Sequence, residues 1–338
     1  MFTARLIEAL VRSERLALKF AYRGKQIPAK WVQTALRQNC GACVHDALAQ
    51  EPQRYNKKID RHAPLLFPSA KSHHGHADRE ASTIHDLSTL FMPETHEDAN
   101  VAHHIDTLHE ELKSNEVVFC VSEATRAALI TAFPSAAPKI RVLYQYVEWP
   151  EEFETMDRNL PAVRLGPYAV VVGTLEPRKN LQLLVRALAN REIARSNFTF
   201  VIVGRKGWLI DELLSSLTPQ HRERIVFTGF VSEFIKYRLI RHCEFMIYPS
   251  LYEGFGIPAL EATSLGKPVL ASRTSSFPEV IGAAGVYFDP LSVSEFVDAF
   301  KEIRSPRKAA ELKRASLVEA RKFDWRRMAT PVLDWVDA

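Results

Sequence analysis

The sequence predicts an α/β protein of two domains with parallel sheets. Three observations predict it. The chain has 338 residues, more than one ordinary core accommodates. Its second half alternates short all-apolar runs with segments of helical periodicity, the pattern of strands covered on both faces. Those runs feed into glycine-bearing loops, at the strand ends where such sheets hold their ligands.

The elements follow in order from residue 168. "YAVVVG" (Tyr168–Gly173) reads as a buried strand, and "NLQLLVRALAN" after it has helical spacing. "FTFVIVG" (Phe198–Gly204), "RIVFTGFV" (Arg224–Val231), "FMIY" (Phe245–Tyr248) and "PVLAS" (Pro268–Ser272) continue the strand series. In the first half, "STIHDLS" (Ser82–Ser88) and "VVFCVSEATRAALI" (Val117–Ile130) read as strand–loop–helix units, and "KIRVLYQYV" (Lys139–Val147) as a last strand. The polar, three-proline segment Glu148–Pro167 reads as the linker. This gives an N-terminal domain over 1–150 and a C-terminal domain over 165–320. Residues 321–338, amphipathic from Phe323 to Val336, form a helix for either half, a return to the N-terminal domain being one of the two placements.

Composition narrows the function. Hydrophobic residues make up 46% and charged residues 25%, as in a soluble globular chain. A net charge of +4 is too weak an excess to argue for nucleic acid; it suits phosphate-bearing ligands or an anionic membrane surface. No run approaches the ~18 apolar residues of a membrane span, and the first twenty residues are too charged for a signal peptide. Four cysteines make no disulfide framework, so the expected address is the cytoplasm.

Two loops carry the chemistry. In "GTLEPRKNLQLL", Gly173 ends a strand and Lys179 or Asn180 begins a helix. The helix N-terminus offers unpaired N–H groups and the positive end of a dipole, and Arg178 and Lys179 add two cations. That is an anion site, most simply for a diphosphate; the plain alternative is a solvated turn with surface charges. In "YPSLYEGFGIPALEA", Gly254 and Gly256 let backbone approach a ligand and Pro258 suits the start of a helix. Glu261 falls on the first turn, where acids favour the dipole for structural reasons alone. Glu253 lies in the loop. Beside a diphosphate it would be repelled, so it should face an uncharged polyol such as a sugar.

"EGFGIPALE" resembles the E-x7-E motif of the retaining GT-B glycosyltransferases, the large family-4 group. "GTLEPRKNLQLLVRAL", "VIVGRKGW", "FTGFVS", "GKPVLAS" and "SSFPEVIGAAGVYFDP" follow in that family's order and spacing, and "TIHDLSTLFMPE" resembles its N-domain loop with an active-site histidine. The resemblance implies two Rossmann-like domains facing a cleft, with the C-terminal one holding a nucleotide sugar. It implies that Glu253 binds donor-sugar hydroxyls, with backbone N–H groups of Gly254, Phe255, Gly256 and Ile257 near sugar and diphosphate. Glu261 would accept from the ribose hydroxyls; Arg178 and Lys179, beside Gly173, would hold the diphosphate. Arg205, Phe230 and Val231 would line the base, and His85 would sit at the donor sugar. The implied reaction moves a hexose to a hydroxyl of a glycan or lipid-linked acceptor, in assembly of a surface polysaccharide or lipopolysaccharide. The version "GTLEPRKN" resembles bacterial mannosyl- and rhamnosyltransferases, which makes GDP-mannose the first donor and a UDP-sugar the second. No tightly bound cofactor is implied, and without a D-x-D no protein-bound metal. The family's usual first strand and glycine-rich loop have no counterpart, the first glycine being Gly24. Two rivals remain: a nucleotide-binding subunit without turnover, and a glycoside hydrolase using Glu253 and Glu261 as its acid pair.

Other clusters read as structural. Cys40, Cys43 and His45 form a single CxxC with a histidine, better taken as buried thiols than as half a zinc site. His73, His74 and His76 sit in a polar loop. At ~100° per residue, Arg5, Glu8, Arg12, Arg15, Lys19 and Arg23 share one face of an N-terminal helix. That face is the wet side of a domain helix or, alternatively, the charged side of an interfacial helix at the inner membrane surface.

Overall fold

The computed structural model describes residues 2–22, 25–38, 58–71, 74–207 and 215–338. Cys40, Cys43, His45 and His73 lie outside them. The chain divides into two compact units: residues 1–90, 98–146 and 324–338 in one, and 91–97 and 147–323 in the other.

The first unit opens with α1 (Phe2–Arg12) and holds a parallel sheet of β1 (Leu65–Phe67), β2 (Glu80–Ile84), β3 (Val117–Cys120) and β4 (Ile140–Val142), in that spatial order. β2 and β3 are wholly buried; β3 is apolar throughout, and the one charged residue of β2, Glu80, is paired with the buried Lys71 at 2.6 Å. Helix α1 ends at Arg12, and Glu14 takes a left-handed φ of 56°. The single helical face predicted from Arg5 through Arg23 therefore stops short, and Arg15 and Lys19 lie beyond it. Leu6, Ala9 and Leu10 bury the apolar side of α1 against Met328, Val332 and Leu333 of the C-terminal helix (Trp325–Asp337).

The main stretch of the second unit, residues 147–323, has α2 (Glu151–Arg158) as its first helix, inside the segment read as a linker. Asp157 explains why that polar stretch folds: it is 7% exposed and binds Arg238 Nε at 2.6 Å and His242 Nε2 at 2.9 Å. The sheet follows as β5 (Tyr168–Val172), then α3 (Leu181–Leu188), β6 (Thr199–Val203), β7 (Ile225–Gly229), α4 (Glu233–His242), β8 (Phe245–Tyr248), α5 (Ile257–Ser264), β9 (Val269–Ser272) and β10 (Gly285–Phe288). All pairings are parallel, and the spatial order is β10-β9-β8-β5-β6-β7. This is a doubly wound sheet whose order reverses between β5 and β8. Helices cover both faces, giving two apolar layers, one around Phe198, Phe200 and Phe300 and one around Met246, Tyr248 and Phe277. Among the described residues no helix is long and apolar enough to cross a membrane.

Candidate functional site

In a doubly wound sheet the crevice beyond the carboxyl ends opens where the strand order reverses. Here that point lies between β5 and β8, so the loops after Val172 and after Tyr248 run side by side. The first loop folds into a tight 3-10 turn, Pro177–Lys179, and ends on Asn180 at φ 52° and ψ 39°. Asparagine tolerates this left-handed conformation better than most residues. Its Nδ2 donates to the carbonyls of Pro249 at 3.1 Å and Pro290 at 2.9 Å, stitching the turn to the ends of β8 and β10. The Leu251 N–H donates to the Arg178 carbonyl at 2.9 Å. The two cations are thus set by backbone, not left on a loose surface turn.

The structure brings Arg178, Lys179 and Glu253 together. Arg178 is 9% exposed; its Nη1 donates to the Tyr252 carbonyl at 2.7 Å and lies 3.3 Å from Glu253 Oε2, while Nη2 donates to Glu176 at 2.8 Å. Lys179 donates to Glu253 Oε1, and its Nζ sits 5.4 Å from the centroid of the Tyr248 ring. The lysine stem crosses Gly173, where an added Cβ would lie 3.3 Å from its Cε. Glu253 is 7% exposed. Its N–H donates to Ser275 Oγ at 2.9 Å and its carbonyl accepts from Ser276 Oγ at 3.1 Å. Burial pushes the Glu253 carboxyl up, but the charges of Lys179 and Arg178 outweigh it and the net direction is down.

Beyond Glu253 the chain passes buried Gly254 and Phe255, whose ring meets Phe323 edge-on at 5.5 Å. Gly256, at φ 85°, is the N-cap of α5 and brings no capping side chain to its N-terminus. A Cβ there would press to 3.0 Å on Phe277 and 3.2 Å on Tyr248. The helix starts at Ile257, with Pro258 second. Glu261 therefore stands on the second turn rather than the first, past the reach of the dipole argument. It is 1% exposed and its Oε1 accepts from Lys236 Nζ at 2.7 Å.

The loops after β6 and β7 are also adjacent. Gly204 N–H donates to the Gly229 carbonyl at 3.0 Å, and an added Cβ at Gly204 would fall 1.8 Å from the Gly173 carbonyl oxygen. The exposed Arg205 guanidinium lies 4.6 Å from the centroid of Phe230, which is 66% exposed; Val231 follows, half-buried.

His85 belongs to the first unit, directly after β2. Its Nε2 lies 2.9 Å from the Pro68 carbonyl, which can only accept, so Nε2 carries the proton and Nδ1 keeps its lone pair. Phe2 meets the ring edge-on at 4.6 Å. Burial pushes the His85 pKa down against the Pro68 carbonyl and Asp86, which pull it up; the net direction is down. His74 lies 3.2 Å from Ser114 Oγ, and the His76 N–H donates to Glu80. Among the described residues, no three His, Cys, Asp or Glu side chains gather as metal ligands.

Sequence reasoning passed over Lys236. Its partner Glu261 is 25 residues away, on another helix, so no local pattern couples them. The one available signal was a lysine four residues before Ile240, on a stripe that turns inward.

Comparison with known proteins gives the family and the fold. The family described as Glycosyl transferases group 1 matches residues 153–319. The O-antigen chain mannosyltransferase B of Escherichia coli is 31% identical over 274 residues, 76% of this chain and 70% of that protein. The serotype-specific mannosyltransferase WbdA of Escherichia coli is 26% identical over 71% of this chain, which spans 31% of WbdA's own length. Among solved structures, Anabaena Alr3699/HepE in complex with UDP-glucose shares 20% identity at a TM-score of 0.60, over 78% of this chain and 73% of that one. With its doubly wound second unit and its parallel-sheet first unit, the chain belongs to the group 1 glycosyl transferases and is a glycosyltransferase of the GT-B fold.

Proposed function

We propose that this glycosyltransferase moves mannose, or a closely related hexose, from a nucleotide sugar to a hydroxyl of a glycan or lipid-linked acceptor, with retention at the anomeric carbon. The setting is assembly of an O-antigen-type surface polysaccharide. One observation carries the reading: Glu253, Arg178 and Lys179 form a buried charged cluster beside the uncapped N-terminus of α5, at the reversal of the sheet. A donor must bring a doubly charged anion and a polyol to one place, and these groups match both. The name of the 31%-identical relative supports mannose, and GDP-mannose is the first donor. The UDP-glucose bound by Alr3699/HepE keeps a UDP-sugar second.

In this reading the donor diphosphate takes the two cations from Glu253, and the carboxylate turns to sugar hydroxyls. As the nucleoside diphosphate leaves, Arg178, Lys179 and the backbone N–H groups from Phe255 to Ile257, at the start of α5, meet the charge that forms. Glu261 accepts from the ribose. Arg205, Phe230 and Val231 receive the base. His85 offers its Nδ1 lone pair to a sugar hydroxyl and is no nucleophile. The donor half is 165–320 and the acceptor half 1–150, to which the C-terminal helix of 321–338 returns. Peripheral contact with an anionic inner membrane surface, on the cytoplasmic side, would fall to the charged side of α1, since its apolar side is committed within the first unit.

The test is incubation with GDP-mannose, UDP-glucose and ADP-glucose and a mannosylated oligosaccharide acceptor, scored for transferred sugar and, by NMR, for its anomeric configuration. Transfer from GDP-mannose with the α configuration kept is expected. Binding without turnover for every donor and acceptor would instead indicate a nucleotide-binding subunit.

A further inference from the structure

We infer that Lys236 is a positioning residue: it holds the Glu261 carboxylate for the nucleotide ribose and so sets the preference for ribose over deoxyribose. The inference rests on the ribose reading of Glu261 given above. Lys236 stands on α4, which Ser232 caps by accepting from the Ile235 N–H at 3.3 Å. Its side chain is 13% exposed, and its Nζ reaches across to Glu261 Oε1 at 2.7 Å. A carboxylate this buried stays charged when a hydrogen-bonded cation is paired with it.

Lys236 itself is fixed. Its Nζ lies 5.4 Å from the Trp149 ring centroid, and Trp149 Nε1 donates to Ser264 Oγ at 3.0 Å. Ser264 Oγ in turn donates to the Glu261 carbonyl at 2.9 Å. Indole, lysine and the helix that bears the acid therefore close a ring of contacts. Trp149 is further wedged against Tyr237 at 5.2 Å. The other acid near Lys236, Glu233 at 3.6 Å, is exposed and gives little in water. A lysine on the inward side of α4 serves no apolar packing that leucine or methionine would not serve better; what it adds is a fixed cation at Oε1.

The experiment titrates the full chain with GDP and with 2′,3′-dideoxy-GDP, then with the UDP pair, and takes the ratio of the two affinities. Lys236→Met keeps an unbranched apolar stem over Trp149 and removes only the cation. It is expected to shrink the ribose preference about tenfold, the scale of one charge-assisted contact, while Lys236→Arg restores most of it. If Lys236→Met does not fold, Lys236→Gln keeps a donor and should shrink the ratio in the same direction by less. Equal weakening of both ligands, or an unchanged ratio, would make Lys236 a packing residue and overturn the inference. Glu261→Gln separates this from the reading beneath it. If Glu261→Gln abolishes the preference and the Lys236 variants leave it intact, only the inference fails. If Glu261→Gln leaves it intact, the ribose assignment itself fails, and the inference with it.

Discussion

Glu253 and Lys179, 74 residues apart, meet as a buried ion pair, and Arg178 takes the other carboxylate oxygen at 3.3 Å. The acid thus occupies the cations that the proposed diphosphate would use. Sequence reasoning placed the three around one ligand but in separate roles; the structure pairs them with one another. In the proposed function a donor would displace Glu253, and the displaced carboxylate would become available to the sugar.

Glu253→Gln is expected to raise affinity for a bare nucleoside diphosphate about tenfold, since the neutral amide gives up the cations cheaply. It should lower sugar transfer by about 10²-fold or more, because the sugar loses its position. Calorimetric titration beside a transfer assay checks both; weaker diphosphate binding would contradict the exchange.

The same pair sets an acid limit on stability. The Glu253 carboxyl lies below its ordinary value of 4.5 in the folded chain. The unfolded chain thus binds a proton first as pH falls, and the contribution is whole above 4.5 and fades as pH drops through the lower folded value. Acid unfolding of the protein and of Glu253→Gln should converge only on that acid side. Convergence near neutrality would assign the pair a different role.

Two glycines separate close approach from conformation. Gly204→Ala puts a Cβ 1.8 Å from the Gly173 carbonyl and should cost several kcal/mol or prevent folding. Gly229, at φ 68° with nothing within 4 Å, should cost only ~1 kcal/mol as alanine. Denaturation midpoints of the two variants check the order, and equal losses would contradict it.

Five strands of the second unit, β5 to β9, were legible because apolar residues dominate them, and the loops because glycine, proline and paired cations fall at strand ends; β10, Gly285–Phe288, was not read as a strand. Glu261 was legible as a residue but one position out along the helix, because Ile257, ahead of the proline, opens the helix and Gly256 caps it. Asp157 was hidden in a polar segment: its partners Arg238 and His242 come from α4, so α2 reads as linker until the tertiary pairs are seen. β1 is three half-buried residues long, too short for any period to register. What the chain order could not give was the pairing of charges across the fold.

His85→Ala is expected to leave nucleoside diphosphate affinity within about twofold and to lower transfer roughly 10²-fold, the scale of one lost contact to a reacting group. Because burial holds His85 below its ordinary value of 6.5, the ring is neutral at pH 7. Protonation favours the unfolded chain, so its stability contribution is whole above 6.5 and fades as pH falls through the lower folded value. NMR titration of the ring checks the direction.

The central claim is that the turn Pro177–Lys179 holds a donor diphosphate at the sheet's reversal point. Its most direct test is calorimetric titration of the protein and of Lys179→Ala with GDP and with guanosine, repeated with UDP and uridine. The account predicts that Lys179→Ala weakens the diphosphate by ~1.5–3 kcal/mol, about 10- to 150-fold, and leaves the free nucleoside unchanged. Equal loss for nucleoside and diphosphate, or no loss for either, would contradict it.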